Sequence, residues 1–270
     1  MSKQISISVY CQNVWNKPPF NRTALQRDLV FERDADVCLF QEFGPKTIRV
    51  GETALPPMLA SRYEEVPTSV GELNYTPVFY KRGRFELIES GYFLFEGKND
   101  ANSKSVTWAI LSEKASGSRF GVCSTHFWWR HDSEEDNRWR LSNAAQLFAC
   151  VTDLKKRFDV PVIAGGDLNC GIRSAQGEEP WLWLCDPSRL IDARAAAPVT
   201  TDTMTHHAYP IQDENGLFYD AALPRCTLDH LFVTEHPHIC LESFEVDISQ
   251  KALATSDHCP LILKATILGE

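Results

Sequence analysis

Val160-Pro161-Val162-Ile163-Ala164-Gly165-Gly166-Asp167-Leu168-Asn169 runs from apolar residues into a carboxylate and a carboxamide. A short apolar run rich in β-branched residues reads as a fully buried strand. The two glycines let the backbone turn sharply and approach a ligand closely. If the chain stays extended, Asp167 and Asn169 point to the same side, because side chains alternate along a strand. A rigid strand then delivers an acceptor and a donor/acceptor together at its C-terminal edge, where open α/β sheets place ligands. The rest of the chain supplies partners to this pair.

Just before it, residues 134–158 carry Leu141, Ala145, Phe148 and Val151 at helical spacing, the longest helical stretch of the chain. Residues 75–127 read as successive strands (77–81, 85–95, 106–112 and 120–126) separated by Arg82-Gly83 and Ser116-Gly117, which suggests antiparallel pairing. At the N-terminus, residues 4–13 alternate apolar and polar and end at Asn13. Residues 21–33 predict an amphipathic helix with Asn21 as N-cap, and 36–40 a second buried strand ending in Gln41-Glu42. This β–α–β order implies a parallel or mixed sheet with a covered face. Residues 44–74 are loop-rich, with Pro45, Pro56, Pro57 and Pro67. Beyond Asn169 the chain is irregular to 228, with a short apolar piece at 181–185 and a strand or turn near Leu190-Ile191-Asp192. Closing strands are expected at 228–234, 240–246 and 261–267. No repeat or linker stands out, so residues 1–270 are expected to form a single domain of two packed sheets with outer helices.

Acidic residues outnumber basic ones 36 to 27, and the net charge of −9 argues against a broad, sequence-independent grip on a phosphate backbone. A local basic pocket for one phosphate stays compatible with it. The nine cysteines are scattered, odd in number and without a Cys-x-x-Cys pair. Buried, reduced thiols are the simplest reading, not a disulfide framework or zinc site. The chain enters its first strand without a signal-like apolar block, and no apolar run suffices to span a bilayer. A cytoplasmic protein that does not engage membranes is expected.

Six strand ends carry polar residues that a core strand would not choose: Asn13, Glu42, His126, Asp167 with Asn169, Asp229, and Asp257-His258. Singly, each has an ordinary explanation as a turn, a cap or a satisfied core group. Six converging in one fold make coincidence the weaker explanation. The chemistry they suit is phosphate-ester hydrolysis. A hard divalent ion needs a few carboxylates and keeps its other positions for water and substrate oxygens. Glu42 is the best main ligand. Asp167 and Asn169 suit polarising and orienting an attacking water. His126 and His258 suit the non-bridging oxygens, and Asp229 suits holding an imidazolium in place. No nucleophilic serine, cysteine or phospho-aspartate signature is visible, which favours direct water attack.

The set Gln41-Glu42, Ser124-Thr125-His126-Phe127, Gly165-Gly166-Asp167-Leu168-Asn169, Thr227-Leu228-Asp229-His230 and Ser256-Asp257-His258-Cys259-Pro260-Leu261 resembles the endonuclease/exonuclease/phosphatase superfamily, from Asn13 to His258. That family includes DNase I, apurinic endonucleases, neutral sphingomyelinases, inositol polyphosphate 5-phosphatases and deadenylases. The resemblance implies an α/β fold, a four-layer DNase I-like sandwich of two packed mixed sheets flanked by helices. It also implies a Mg²⁺- or Mn²⁺-dependent phosphohydrolase. By the same resemblance Glu42, Asp257 and Asn13 contact metal, Asp167 is general base or water-positioning group with Asn169 beside it, His126 and His258 bind the scissile phosphate, and Asp229 orients His258. The segment 74–93 looks like a bacterial branch of unassigned phosphohydrolases, in which Lys104 falls where arginine is common and joins the substrate site. His230 departs from the aromatic residue that commonly follows the family aspartate.

Specificity is expected from irregular segments. Trp129 and Arg130 follow His126 closely and suit stacking on a base or sugar and binding a further phosphate. A core tryptophan and solvated or paired arginines are the competing reading, favoured for Arg140. Arg173, on the loop after Asn169, has the reach to meet substrate or to stay solvated. His206 and His207 precede Asp229 in a stretch that walls the pocket; adjacent histidines on a strand point oppositely, which argues against a chelating pair. The leading expectation is hydrolysis of a phosphate mono- or diester of a small molecule. The alternatives are a nuclease on DNA or RNA and a non-catalytic binding protein of the same fold.

Overall fold

The computed structural model describes residues 4–16, 22–44, 48–49, 54–68, 74–201, 203–207 and 225–269. The elements run β1 (Gln4–Asn13), α1 (Thr23–Arg33), β2 (Val37–Gln41), α2 (Leu55–Leu59), β3 (Tyr63–Glu65), β4 (Val78–Lys81), β5 (Phe85–Leu94), β6 (Ser105–Glu113) and β7 (Arg119–His126). They continue with α3 (Glu134–Phe158), β8 (Val162–Asp167), α4 (Glu179–Leu184), β9 (Ile191–Asp192), α5 (Ala193–Ala196) and β10 (Val199–Thr200). The chain closes with β11 (Asp229–Val233), β12 (Ile239–Val246), α6 (Gln250–Thr255) and β13 (Leu261–Leu268).

The strands form two mixed sheets. One has the order β10-β12-β13-β1-β2-β4-β3 and the other β5-β6-β7-β8-β11-β9. Ile7, Val9, Leu39 and Leu263 of the first face Val122, Ile163 and Leu231 of the second in a shared apolar layer. A second layer packs Ala144, Leu147, Val151 and Leu154 of α3 on Val162 and Ala164 of β8. A third packs Leu29 and Val30 of α1 on Tyr10, Cys38 and Phe40. The result is helix, sheet, sheet, helix, as the sequence predicts for an α/β sandwich.

The same physics sets the strand ends. β1 and β2 are parallel, with Asn13 beside Gln41. β7 and β8 are parallel, with His126 beside Asp167. β11 runs antiparallel to β8 and places Asp229 opposite Asp167. One edge of the sandwich therefore collects these polar residues, because β11 starts where its neighbours end.

Several local expectations change. Asn21 lies outside the described residues; α1 begins at Thr23, with Arg22 at the cap position and no side-chain cap bond. The 44–74 region contains α2 and β3, whose few residues give too little periodicity to read. The apolar piece at 181–185 is helix α4, opened by Pro180 in its first turn. β8 ends at Asp167, and Asn169 has left-handed φ of 50°, so alternation does not govern the pair. All nine cysteines are unpaired, as expected for reduced thiols.

Candidate active site

Asp167 is the hub. It is 1 % exposed, and both oxygens are engaged. Oδ1 accepts the backbone N–H of Asn169 at 2.8 Å. Oδ2 accepts Asn13 Nδ2 at 2.9 Å and lies 3.3 Å from His126 Nε2 and 3.8 Å from His258 Nε2. The turn after β8 thus makes Asn169 a backbone donor to Asp167, while its side-chain amide donates to Phe127 O at 3.1 Å. Burial pushes the Asp167 carboxyl up, but His258, His126 and Asn13 together hold it well below the usual carboxylate range. The carboxylate is therefore ionised and presents its oxygens as hydrogen-bond acceptors.

Two glycines let β8 enter this crowd. A Cβ on Gly165 would lie 2.0 Å from His230 O, and one on Gly166 2.0 Å from Thr125 O, at a φ of +149°. Only hydrogen fits at either position.

Glu42 follows β2 at a left-handed φ of 53°. Its Oε1 accepts Asn13 Nδ2 at 3.2 Å and its Oε2 accepts Asn16 N at 3.0 Å. Asn13 Oδ1 accepts Trp15 N at 2.9 Å, so Asn13 reaches Glu42 and Asp167 as a donor and orients both. Burial works against ionised Glu42, and His126 and Lys104 reverse that, lowering its pKa. An ionised carboxylate with lone pairs to spare suits a hard cation.

His258 is clamped. Nδ1 lies 3.0 and 2.9 Å from the two Asp229 oxygens, leaving Nε2 turned to Asp167 and to Asp257 Oδ1 at 4.0 Å. Burial disfavours its charge, but Asp229, Asp167 and Asp257 raise its pKa well above the usual imidazole range. Asp229 in turn accepts Thr205 Oγ1 at 2.7 Å, and the same hydroxyl accepts the backbone N–H groups of Leu228 and Asp229 at 3.0 and 3.1 Å. Asp257 has its carboxyl pushed up to about 6, by burial first and then by Glu42 and Asp167. Acidic groups that crowd until one resists ionising form a site that favours a cation.

His126 meets Lys104, a buried lysine whose Nζ is 3.0 Å from Nε2 and 3.3 Å from Nδ1. Burial lowers the Lys104 pKa. Lys104 Nζ is 3.9 Å from Asp100 Oδ1, and Asp100 Oδ2 accepts the Trp129 indole N–H at 2.7 Å. Trp129 is 43 % exposed, which rules out the core reading, and Arg130 lies over its ring at 5.2 Å. Contrary to expectation, Arg140 is neither solvated nor paired with an acidic side chain among the described residues: it is buried and donates to Arg130 O and Gln176 O, a structural role all the same. Arg173 is exposed, with its backbone N–H on Glu178, and its side chain is not brought into the cluster.

One residue escaped the sequence reading, and one was read only as a wall of the pocket. Thr205 looks like any strand threonine until Asp229 is opposite it. His206 and His207 do point oppositely, His207 into the interior, but His206 Nε2 then lies 3.9 Å from Asp257 Oδ2. His230 keeps the place of an aromatic ring: it stacks on Trp181 at 5.4 Å and on Phe232 at 6.0 Å, with Nε2 3.0 Å from Cys170 O.

The donors fit a divalent ion. Glu42, His126 and Asp167 present ligand atoms within 4.8 Å of one another, as do His206, Asp257 and His258, and Asp167, Asp229 and His258. No helix among the described residues is long and apolar enough to cross a membrane.

No protein-family model and no curated protein matches this chain. Solved structures do. An endonuclease/exonuclease/phosphatase from Bacteroides vulgatus superposes with a TM-score of 0.72 at 19 % identity, over 97 % of this chain and 99 % of its own. A mannosyl-6-phosphatase of Bacteroides thetaiotaomicron gives 0.69 at 17 %, covering 96 % and 99 %. The catalytic domain of human Nocturnin gives 0.66 at 17 %, covering 98 % and 97 %. Architecture and comparisons agree: the chain has the DNase I-like α/β sandwich fold of the endonuclease/exonuclease/phosphatase proteins.

Proposed function

We propose that the protein is a divalent-metal-dependent phosphoesterase that hydrolyses a phosphate mono- or diester of a small molecule by direct attack of water. The observation that carries this is the bonded network at one sandwich edge, in which Asn13 joins Glu42 to Asp167 and Asp167 lies between His126 and His258. Glu42 is the main ligand for Mg²⁺ or Mn²⁺, with Asp257 and Asn13 beside it. The ion supplies charge neutralisation at the phosphoryl oxygens.

The chain's own residues do the rest. Asp167 aligns the attacking water by accepting its hydrogen bond and, as general base, takes its proton as the P–O bond forms, while the backbone N–H of Asn169 keeps that carboxylate in place. His126 and His258 face the non-bridging oxygens, where charge develops. Asp229 fixes the His258 ring and sustains its positive charge. Lys104 adds a second cation beside His126. Trp129 and Arg130 form an exposed rim for the remainder of the substrate, and Arg173 on the neighbouring loop reaches it only if that loop rearranges.

The excess of acidic residues, 36 against 27, favours a small substrate over a nucleic acid. The mannosyl-6-phosphatase among the structural neighbours acts, by its name, on a small phosphorylated sugar. A panel of phosphomonoesters, phosphodiesters and oligonucleotides, each with Mg²⁺ and with Mn²⁺, tests the reading. Turnover of small esters that a chelator abolishes and added metal restores is expected, with ¹⁸O from solvent in the released phosphate. Activity unchanged in Glu42→Ala or Asp167→Asn overturns the mechanism, and preferential cleavage of oligonucleotides overturns the substrate class.

A further inference from the structure

We infer that His206, Asp257 and His258 form a second cation site, selective for a transition-metal ion that accepts imidazole nitrogen. The inference builds on the metal-dependent reading of the cleft and adds a ligand to it, His206. Three observations carry it.

First, the Asp257 carboxylate sits between two imidazoles. Oδ2 is 3.9 Å from His206 Nε2 and Oδ1 is 4.0 Å from His258 Nε2. All three ligand atoms fall within 4.8 Å of one another. Closure onto a metal of ~2.1 Å bond length needs only a few tenths of an ångström at each side chain.

Second, both imidazoles are oriented by their other nitrogen, as metal-binding histidines usually are. His258 Nδ1 is held by Asp229. His206 Nδ1 is 3.7 Å from Cys226 Sγ. Main-chain bonds fix the His206 backbone on two sides: His206 N donates to Cys226 O at 3.0 Å and Arg225 N to His206 O at 2.8 Å. A bridge also pairs His206 with His258. His206 Nε2 therefore faces Asp257.

Third, the field is right. Asp167, Asp229 and Asp257 surround His258, and a divalent cation answers that concentration of negative charge better than one proton does. The His206 side chain is 32 % exposed, so water or a phosphate oxygen can complete the coordination.

Two nitrogens, with the Asp257 carboxylate shared between the two ions, distinguish this site from the oxygen-rich surroundings of Glu42. Mg²⁺ is indifferent to imidazole, whereas Mn²⁺, Co²⁺ and Zn²⁺ accept it. Occupied, the site takes the place of the His258 Nε2 proton, so the positive charge facing the phosphoryl oxygens there comes from the ion, whereas in the metal-free site it is the imidazolium held by Asp229.

The test is metal binding to the full, metal-stripped chain. Mn²⁺ is titrated with free ion read by electron paramagnetic resonance, and Co²⁺ by its visible absorption. The parent is expected to bind about two Mn²⁺ and His206→Phe about one, since phenylalanine keeps a ring beside His258 without a lone pair. Glu42→Ala is expected to lose the other ion and keep the imidazole-type Co²⁺ spectrum. Equal melting of the metal-free proteins checks folding, and His206→Gln replaces His206→Phe if the latter unfolds. A parent that binds one Mn²⁺, lost in Glu42→Ala and untouched in His206→Phe, overturns the second site and leaves the phosphoesterase reading standing. A parent that binds neither Mn²⁺ nor Mg²⁺ overturns both.

Discussion

Thr205 illustrates how much rests on single hydroxyls here. Its Oγ1 donates to Asp229 and accepts two backbone N–H groups, and Asp229 alone aims His258. Thr205→Val keeps the shape and strands those groups, at about 1–3 kcal/mol for a buried unsatisfied donor or acceptor. Lower stability by urea unfolding and a fall in kcat are expected, with KM less affected. Asp229→Asn leaves the shape intact but removes the charge on which the His258 imidazolium depends. A loss of roughly 10²–10⁴ in kcat is expected on the scale of general acid–base groups, measured on the best ester of the panel. Rates within a factor of two of the parent would remove Asp229 from the mechanism.

At the scale of elements, α3 is the most self-determined part of the fold. Ser133 accepts from Asp136 N while the Asp136 carboxylate takes Ser133 N, a complete capping box. The same carboxylate accepts the Trp128 indole at 2.7 Å, which ties the helix to the segment behind His126. Ser133→Ala is expected to cost about 1 kcal/mol. The Trp128 indole N–H, then Ser133, hold the Asp136 carboxyl below its ordinary range. Its contribution is therefore full above the unfolded value near ~3.9 and is lost as pH falls through the lower folded one. The urea-measured deficit of Asp136→Asn should shrink below about pH 4 on that account. A deficit equally large at pH 3 would show that the charge is immaterial. β8 is the opposite case: Gly166→Ala puts a methyl group into Thr125 O and is expected to destabilise by ~3 kcal/mol or to prevent folding. Periodicity made α3 legible to the residue, because twenty-five residues give seven turns of signal. It could not reveal α2, α5 or β10, which are too short to repeat. The site was legible where a polar residue interrupts an apolar run, as at Glu42, His126 and Asp167. It was half legible at His206, read as a pocket wall but not as a neighbour of Asp257, which lies fifty-one residues away.

For the whole molecule, the charge balance makes a statement about ionic strength. A protein that gripped a polyanion would lose roughly 10³–10⁵ in affinity between 50 and 200 mM salt. With a net charge of −9 and the proposed engagement of one phosphate, kcat/KM on a small ester should change by less than about tenfold over that range. A steeper slope on any substrate would point to nucleic acid. The long-range bond from Ser256 Oγ to Asn13 O spans 243 residues, and β1 pairs with β13 along its length. That closure has a meaning in time. While the chain is being made, Asn13, Glu42, His126 and Asp167 leave the ribosome long before Asp257 and His258, and β1 keeps one edge open until its final partner arrives. A nascent or prematurely terminated chain therefore holds only part of the candidate site, without Asp257 and His258.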